Sequence, residues 1–236
     1  MIVGPGSSHT QVLELHGVAH RFGRQWVLRG VDLSVAAGEV VALAGGNGAG
    51  KTTLLKVAAS LLPPMRGSVR VCGIDFHGDR ASAVRERVGY LGHSPALYED
   101  LTARENLAFA LRMHGLPAGD PDLVRRLDEV GLAPHADVRV RRFSSGMRRR
   151  LALARTLLGG PALLLMDEPY ASLDSHGVEL VNQMVTRVVE EGGGVLMATH
   201  DFQAGGRVTH RIMRLDGGRV APLDPDTAAP LDEGGG

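Results

Sequence analysis

The chain has 236 residues, a formal net charge of zero and 44% hydrophobic residues, which suits one large domain or two small ones around a substantial core. Balanced charge argues against a nucleic-acid binder that relies on a broadly basic surface. The single cysteine, Cys72, excludes an internal disulfide and a multi-thiolate metal site from this chain alone, and it reads as a small residue on or near a strand.

Residues 1–10 read as a flexible leader; they lack a basic region followed by an apolar core and are not expected to be a secretory signal. Short strands are expected at 12–15 and 26–35, the second after the turn residues Gly23 and Arg24. Ala36, Ala37 and Gly38 make a turn before the apolar run 39–44, which has the makeup of a buried strand. Glycine-rich residues 45–50 interrupt that run, and 51–61 then shows helical periodicity that Pro63 and Pro64 stop. Residues 69–71 and 88–91 read as strands around a polar linker.

From Thr102 onward the chain turns mostly helical. Thr102 and Glu105 form a capping box that opens a helix ending near Gly115. A second helix is expected at 121–130, with Pro121 in its first turn, and a third at 146–158, ended by Gly159, Gly160 and Pro161. The apolar runs 163–166 and 195–199 read as buried parallel strands separated by a helix at 177–190. Residues 212–215 and 219–220 flank Asp216-Gly217-Gly218, a hairpin signal, and 221–236 reads as a disordered tail. Strand–loop–helix alternation points to an α/β sheet with a helical insert. No apolar run approaches the roughly 18 residues of a membrane span, so any membrane role requires a separate partner.

Residues Gly45-Gly46-Asn47-Gly48-Ala49-Gly50-Lys51-Thr52 fit the phosphate-loop pattern G-x-x-x-x-G-K-[ST], between a predicted strand and a predicted helix. Phosphate oxygens require converging backbone N–H groups, glycine permits the close approach, and the helix N-terminus adds a favourable dipole. Lys51 is expected to reach the β and γ phosphates of ATP, and Thr52 to offer its hydroxyl to Mg²⁺. Lys51 and Lys56 are the only lysines, so this one is not lysine-rich background. The loop alone says NTPase and does not choose among kinase, GTPase and transport ATPase.

The strand at 163–166 ends in Asp167 and Glu168. The C-terminal ends of parallel strands line one sheet edge, where ligands bind. Asp167 is therefore expected near Thr52, holding Mg²⁺, and Glu168 is expected to polarise the attacking water. By itself an Asp-Glu pair at a strand end is more often a solvated turn; beside the phosphate loop it acquires a chemical role.

Further residues carry a specific resemblance. Phe143-Ser144-Ser145-Gly146-Met147 is similar to the signature motif of ABC ATPases, and Arg150 and residues 152–155 match the stretch just after that motif. Ser172-Leu173-Asp174 resembles that family's D-loop, Thr199-His200-Asp201 its switch-histidine segment, and Phe22 stands where it places an adenine-stacking aromatic. The resemblance covers residues 11–220. It implies a P-loop NTPase (RecA-like) core with an antiparallel β subdomain and a helical subdomain at about 95–158. It implies that two copies dock head to tail, with ATP held between the phosphate loop and Thr53 of one and Ser144, Ser145 and Gly146 of the other. His200 would contact the γ-phosphate and orient the water, and Asp174 would communicate between the sites. The subunit would sit at the cytoplasmic face of the cell membrane and power an integral membrane permease. Arg148-Arg149-Arg150 reads as a helix face packed on neighbours or nucleotide rather than a nucleic-acid site.

Three departures narrow the choice. Ser145 replaces one of the two usual signature glycines, Met147 the glutamine, and His93 a second glutamine that contacts Mg²⁺ or the catalytic water. Residues 91–95 and 101–107, together with the signature region, resemble the ATPase of the haem exporter of cytochrome c maturation. An exporter ATPase for a drug or lipid and a soluble iron–sulfur assembly ATPase are the competing expectations. Protonated imidazole has no lone pair to offer, so His93-dependent activity is expected to fall on acidification.

Overall fold

Two sheets organise the described residues, 10–76 and 80–223 of the computed structural model. The first sheet is antiparallel and joins β1 (Gln11–Phe22), β2 (Gln25–Ala36), β4 (Arg66–Val71) and β5 (Ile74–Asp75) in the order β2-β1-β4-β5. The second contains β3 (Val40–Ala44), β6 (Val88–Leu91), β7 (Leu163–Asp167), β8 (Gly194–Ala198), β9 (Arg211–Asp216) and β10 (Arg219–Leu223), in the order β10-β9-β3-β8-β7-β6. Its pairings are parallel except for the hairpin of β9 and β10.

Every residue of β3, β7 and β8 is buried, because both faces of this sheet are covered. Side chains alternate between the faces with the period-2 geometry of a strand. Val40, Ala42, Leu164, Met166, Val195 and Met197 point into one apolar cluster, shared with the helices α3 (Ala103–Met113), α4 (Asp120–Asp128), α5 (Ser145–Thr156) and α6 (Ser175–Glu190). Val41, Leu43, Leu163, Leu165 and Leu196 point into the other, shared with α1 (Lys51–Ala58) and the antiparallel sheet. The sheet thus fixes α1 on one side and α5 on the other. Two short helices, α2 (Ala81–Arg85) and α7 (Phe202–Gly205), complete the described α-helices.

The capping box is present as expected: Thr102 Oγ1 accepts from Glu105 N at 3.2 Å and Thr102 N donates to Glu105 Oε2 at 2.7 Å. Other boundaries differ. β1 is 12 residues rather than 4, because its register shifts between Leu15 and Val18, where Gly17 has φ 58°, and that bulge breaks the alternation a strand reading relies on. β5 and α2 lie in the stretch expected to be a polar linker. Thr10, assigned to the leader, accepts from Ala37 N at 2.9 Å, and β10 extends to Leu223, three residues into the expected tail. The rest of the expected leader and tail lies outside the described residues.

Candidate active site

The phosphate loop connects the end of β3 to the start of α1. Two of its glycines are required by geometry. Gly45 has φ 154°, and a Cβ there would lie 2.6 Å from the carbonyl oxygen of Leu215; at Gly50, with φ 106°, it would lie 2.8 Å from Val27 Cγ1. Gly50 is also the N-cap of α1 and has no side chain to cap it, which leaves the helix's first amides for an anion. The buried Lys51 ammonium donates to the carbonyls of Gly45 at 2.6 Å and Gly46 at 3.3 Å, so its charge is folded back over the loop.

The acidic strand end meets this loop. The Thr52 hydroxyl donates to Asp167 Oδ2 at 2.7 Å across 115 residues of sequence, and Asp167 is buried. Glu168 leaves the strand with φ 49°, a left-handed conformation uncommon for a side chain of its kind, while its N–H still donates to Ala198 O at 2.8 Å. Its carboxylate Oε2 lies 2.8 Å from His200 Nδ1, within ion-pair distance.

A cleft of about 350 Å³ opens beside these groups, lined by loop residues from Gly46 to Thr53 together with His93, Asp167 and Glu168. Val27 also lines it; sequence reasoning missed this residue, and an apolar strand residue carries no signal for such a role. Thr52 and Asp167 supply a hydroxyl and a carboxylate oxygen side by side, a donor set that suits a hard divalent cation such as Mg²⁺.

Other expected residues lie apart from the cleft. Phe22 ends β1 with 56% exposure, its ring edge-to-face with His20 at 4.9 Å, and it does not line the cleft. Ser144 and Ser145 are exposed at the start of α5, where the Ser144 hydroxyl accepts from Met147 N at 3.2 Å; neither they nor Gly146 line the cleft. Asp174 caps α6, accepting from Gly177 N at 2.8 Å.

Arg149 is the functional candidate that sequence reasoning passed over. It is 5% exposed, and its guanidinium donates to the carbonyls of Gly92, Asp167, Glu168 and Pro169. Burial pulls its pKa down, while the nearby Asp167 and Glu168 carboxylates oppose that effect. Burial also pushes the neighbouring Tyr90 phenol up to about 12, with the Asp167 carboxylate adding to the shift. The available signal was helical spacing: Arg149 shares a face with Ala152, Leu153 and Thr156, all buried.

The geometry agrees with the comparisons with known proteins. The family described as "ABC transporter" matches residues 28–171, more than half of the chain. The chain belongs to the ABC transporter family. It is 40% identical to the "Cytochrome c biogenesis ATP-binding export protein CcmA" of Xanthomonas axonopodis pv. citri (strain 306), over 91% of this chain and 99% of that protein. The protein of that name from Bordetella bronchiseptica is 41% identical over 80% of this chain and 83% of its own length. Among solved structures, the "Dimeric structure of a post-hydrolysis state of the ATP-binding cassette MJ0796 bound to ADP and Pi" aligns with a TM-score of 0.79 and 27% identity, covering 90% of this chain and 99% of that one. The chain is therefore an ATP-binding cassette with the P-loop NTPase fold, including the antiparallel sheet and the helices beside the parallel one. The family match ends at Ala171, before Asp174 and His200.

Proposed function

We propose that this chain is the ATPase subunit of an exporter serving cytochrome c biogenesis, the haem-exporter system, and that it works as a head-to-tail pair beneath a membrane permease. The observation that carries the ATPase reading is the contact of Thr52 with Asp167 at 2.7 Å beside the pairing of Glu168 with His200 at 2.8 Å. The amides of the phosphate loop and Lys51 hold the phosphates. Thr52 and Asp167 would hold Mg²⁺, whose chemistry would be to offset the negative charge of the phosphates. Glu168 accepts a proton from the attacking water, and His200 keeps that carboxylate in place and faces the γ-phosphate. His93 completes the wall at the water's side, and the exposed ring of Phe22 offers a face for adenine.

The second half of the site comes from another copy: Ser144, Ser145 and Gly146 bring a second helix N-terminus to the γ-phosphate. Asp174, at the start of α6, links the two sites. No helix among the described residues is long and apolar enough to cross a membrane, which agrees with a separate permease. A cavity of about 400 Å³ with Tyr98, Phe109 and Met113 at its rim, all exposed, suits an apolar segment of that partner. Arg155 lines it and has no carboxylate partner within ion-pair distance among the described residues, so an acidic side chain on the same segment fits. The subunit accordingly docks at the cytoplasmic face of the membrane.

The test is co-expression with the permease in cells lacking their own cytochrome c biogenesis ATPase. The active chain restores haem-stained c-type cytochromes, and Glu168→Gln does not. Restored staining with Glu168→Gln, or none with the active chain, contradicts the proposal.

A further inference from the structure

The residue that joins the parts of this site is outside it. Arg149 lies on α5, one turn beyond the N-terminus that carries Ser144 and Gly146. Its Nη2 donates to the carbonyls of Asp167 and Glu168, each at 2.6 Å, and its Nη1 to the carbonyl of Gly92 at 2.7 Å. Its Nε donates to Pro169 O at 3.4 Å. One rigid fork therefore touches the strand end on both sides of Glu168 and the residue before His93.

Two features make this more than packing. First, Glu168 has φ 49°, a backbone conformation that persists only where the surroundings over-determine it. The Asp167 and Glu168 carbonyls flanking that residue are the two that share Nη2. Second, the guanidinium is satisfied by carbonyls, with no carboxylate oxygen of Asp167 or Glu168 among its hydrogen-bond partners. Both carboxylates stay available to the cleft: Asp167 to Thr52, Glu168 to His200.

We infer that Arg149 is a positioning residue: it holds Glu168 in its left-handed conformation and ties that carboxylate to the signature helix and to the segment carrying His93. The inference rests on the reading of Glu168 as the group that acts on water. Nucleotide contacts from the phosphate loop do not pass through Arg149, so its loss acts on turnover rather than on binding. Glutamine is too short to span the carbonyls, and lysine brings a point charge without the planar fork.

The test compares Arg149→Gln, Arg149→Lys, Glu168→Gln and the double variant Arg149→Gln/Glu168→Gln in single-turnover ATP hydrolysis, with ATP affinity and thermal midpoint measured on each. Arg149→Gln is expected to lower the rate by about 100-fold, the scale of an ångström misplacement of a reacting group. ATP affinity stays at the wild-type value. Arg149→Lys loses nearly as much rate with its fold intact. The double variant is no slower than Glu168→Gln, because both lesions remove one function. A wild-type rate in Arg149→Lys or Arg149→Gln overturns the inference. So does ATP affinity falling in step with rate, or a double variant slower by the product of the two losses. If Glu168→Gln alone hydrolyses ATP normally, the failure belongs to the role given to Glu168 and is seen in that variant without reference to Arg149.

Discussion

At the phosphate-loop edge of the parallel sheet, side chains far apart in sequence meet: Thr52 reaches Asp167 and His200 reaches Glu168. At the start of α5 the contacts are local: the exposed Ser144 accepts from Met147, three residues on, and Ser145 beside it faces solvent. The first region is assembled by the fold of a single chain. The second is a helix end that is finished locally and offers its outward side to something else. Under the proposal that something is the nucleotide held by a second copy, so the two regions serve the same chemistry from opposite sides.

Lesions in the first region test whether it is the chemical half. Glu168→Gln is expected to lower turnover by about 10² to 10⁴-fold, the usual share of a general base, while ATP remains bound; phosphate release with and without bound-nucleotide measurement separates the two. Lys51→Ala removes a charged donor worth about 1.5–3 kcal/mol, so ATP affinity is expected to fall by about 10- to 100-fold, read by isothermal titration. Affinity unchanged in Lys51→Ala would break the assignment of that region to phosphate.

A smaller effect sharpens the boundary of the first region at His93, which lines the cleft. Imidazole loses its free lone pair when protonated, so wild-type turnover is expected to fall as pH is lowered from the neutral into the acid range. His93→Gln keeps its rate across the same range, apart from losses common to both. Equal acid loss in the two proteins would remove His93 from the water or metal side of the site.

The smallest effect lies in the helical region behind α5. Thr102→Ala removes the capping box of α3 and is expected to cost about 1 kcal/mol of stability, with turnover unchanged. The hydrogen bonds from Thr102 hold the Glu105 carboxyl below its ordinary pKa. That contribution is present above the ordinary carboxylate range and is lost as pH falls through the lowered value. Because the Thr102 N–H is the first of those donors and survives in Thr102→Ala, the variant that reads the linkage is Glu105→Gln, and thermal unfolding at neutral and acid pH is expected to show a difference from wild type that narrows on acidification.

The same division separates the legible parts of the sequence from the hidden ones. The phosphate loop and acidic strand end are contiguous motifs whose residue types are dictated by their chemistry, so Lys51, Thr52, Asp167 and Glu168 were legible as candidates, and the structure lines one cleft with all four. The buried strands β3, β7 and β8 were readable because unbroken apolar runs reflect burial on both faces. β1 was cut short because a bulge shifts its period midway. Arg149 was hidden for a different reason: its partners are backbone carbonyls from two other segments, and a carbonyl carries no residue identity. Its position on a buried helix face was visible, but its partners were not. The left-handed turn at Glu168 likewise depends on tertiary contacts and not on residue type.

The most direct test of the divided site mixes two inactive chains. Lys51→Ala disables the phosphate-loop region, and Ser145→Glu places a negative charge where a partner's γ-phosphate is expected, while an acidic residue in the first turn of α5 is compatible with the helix. In a head-to-tail pair of one chain of each kind, one site carries both lesions and the other carries neither. ATP hydrolysis by the mixture is therefore expected to rise well above that of either variant alone, as the two are combined at constant total protein. A mixture no more active than its components would contradict a site shared between two copies.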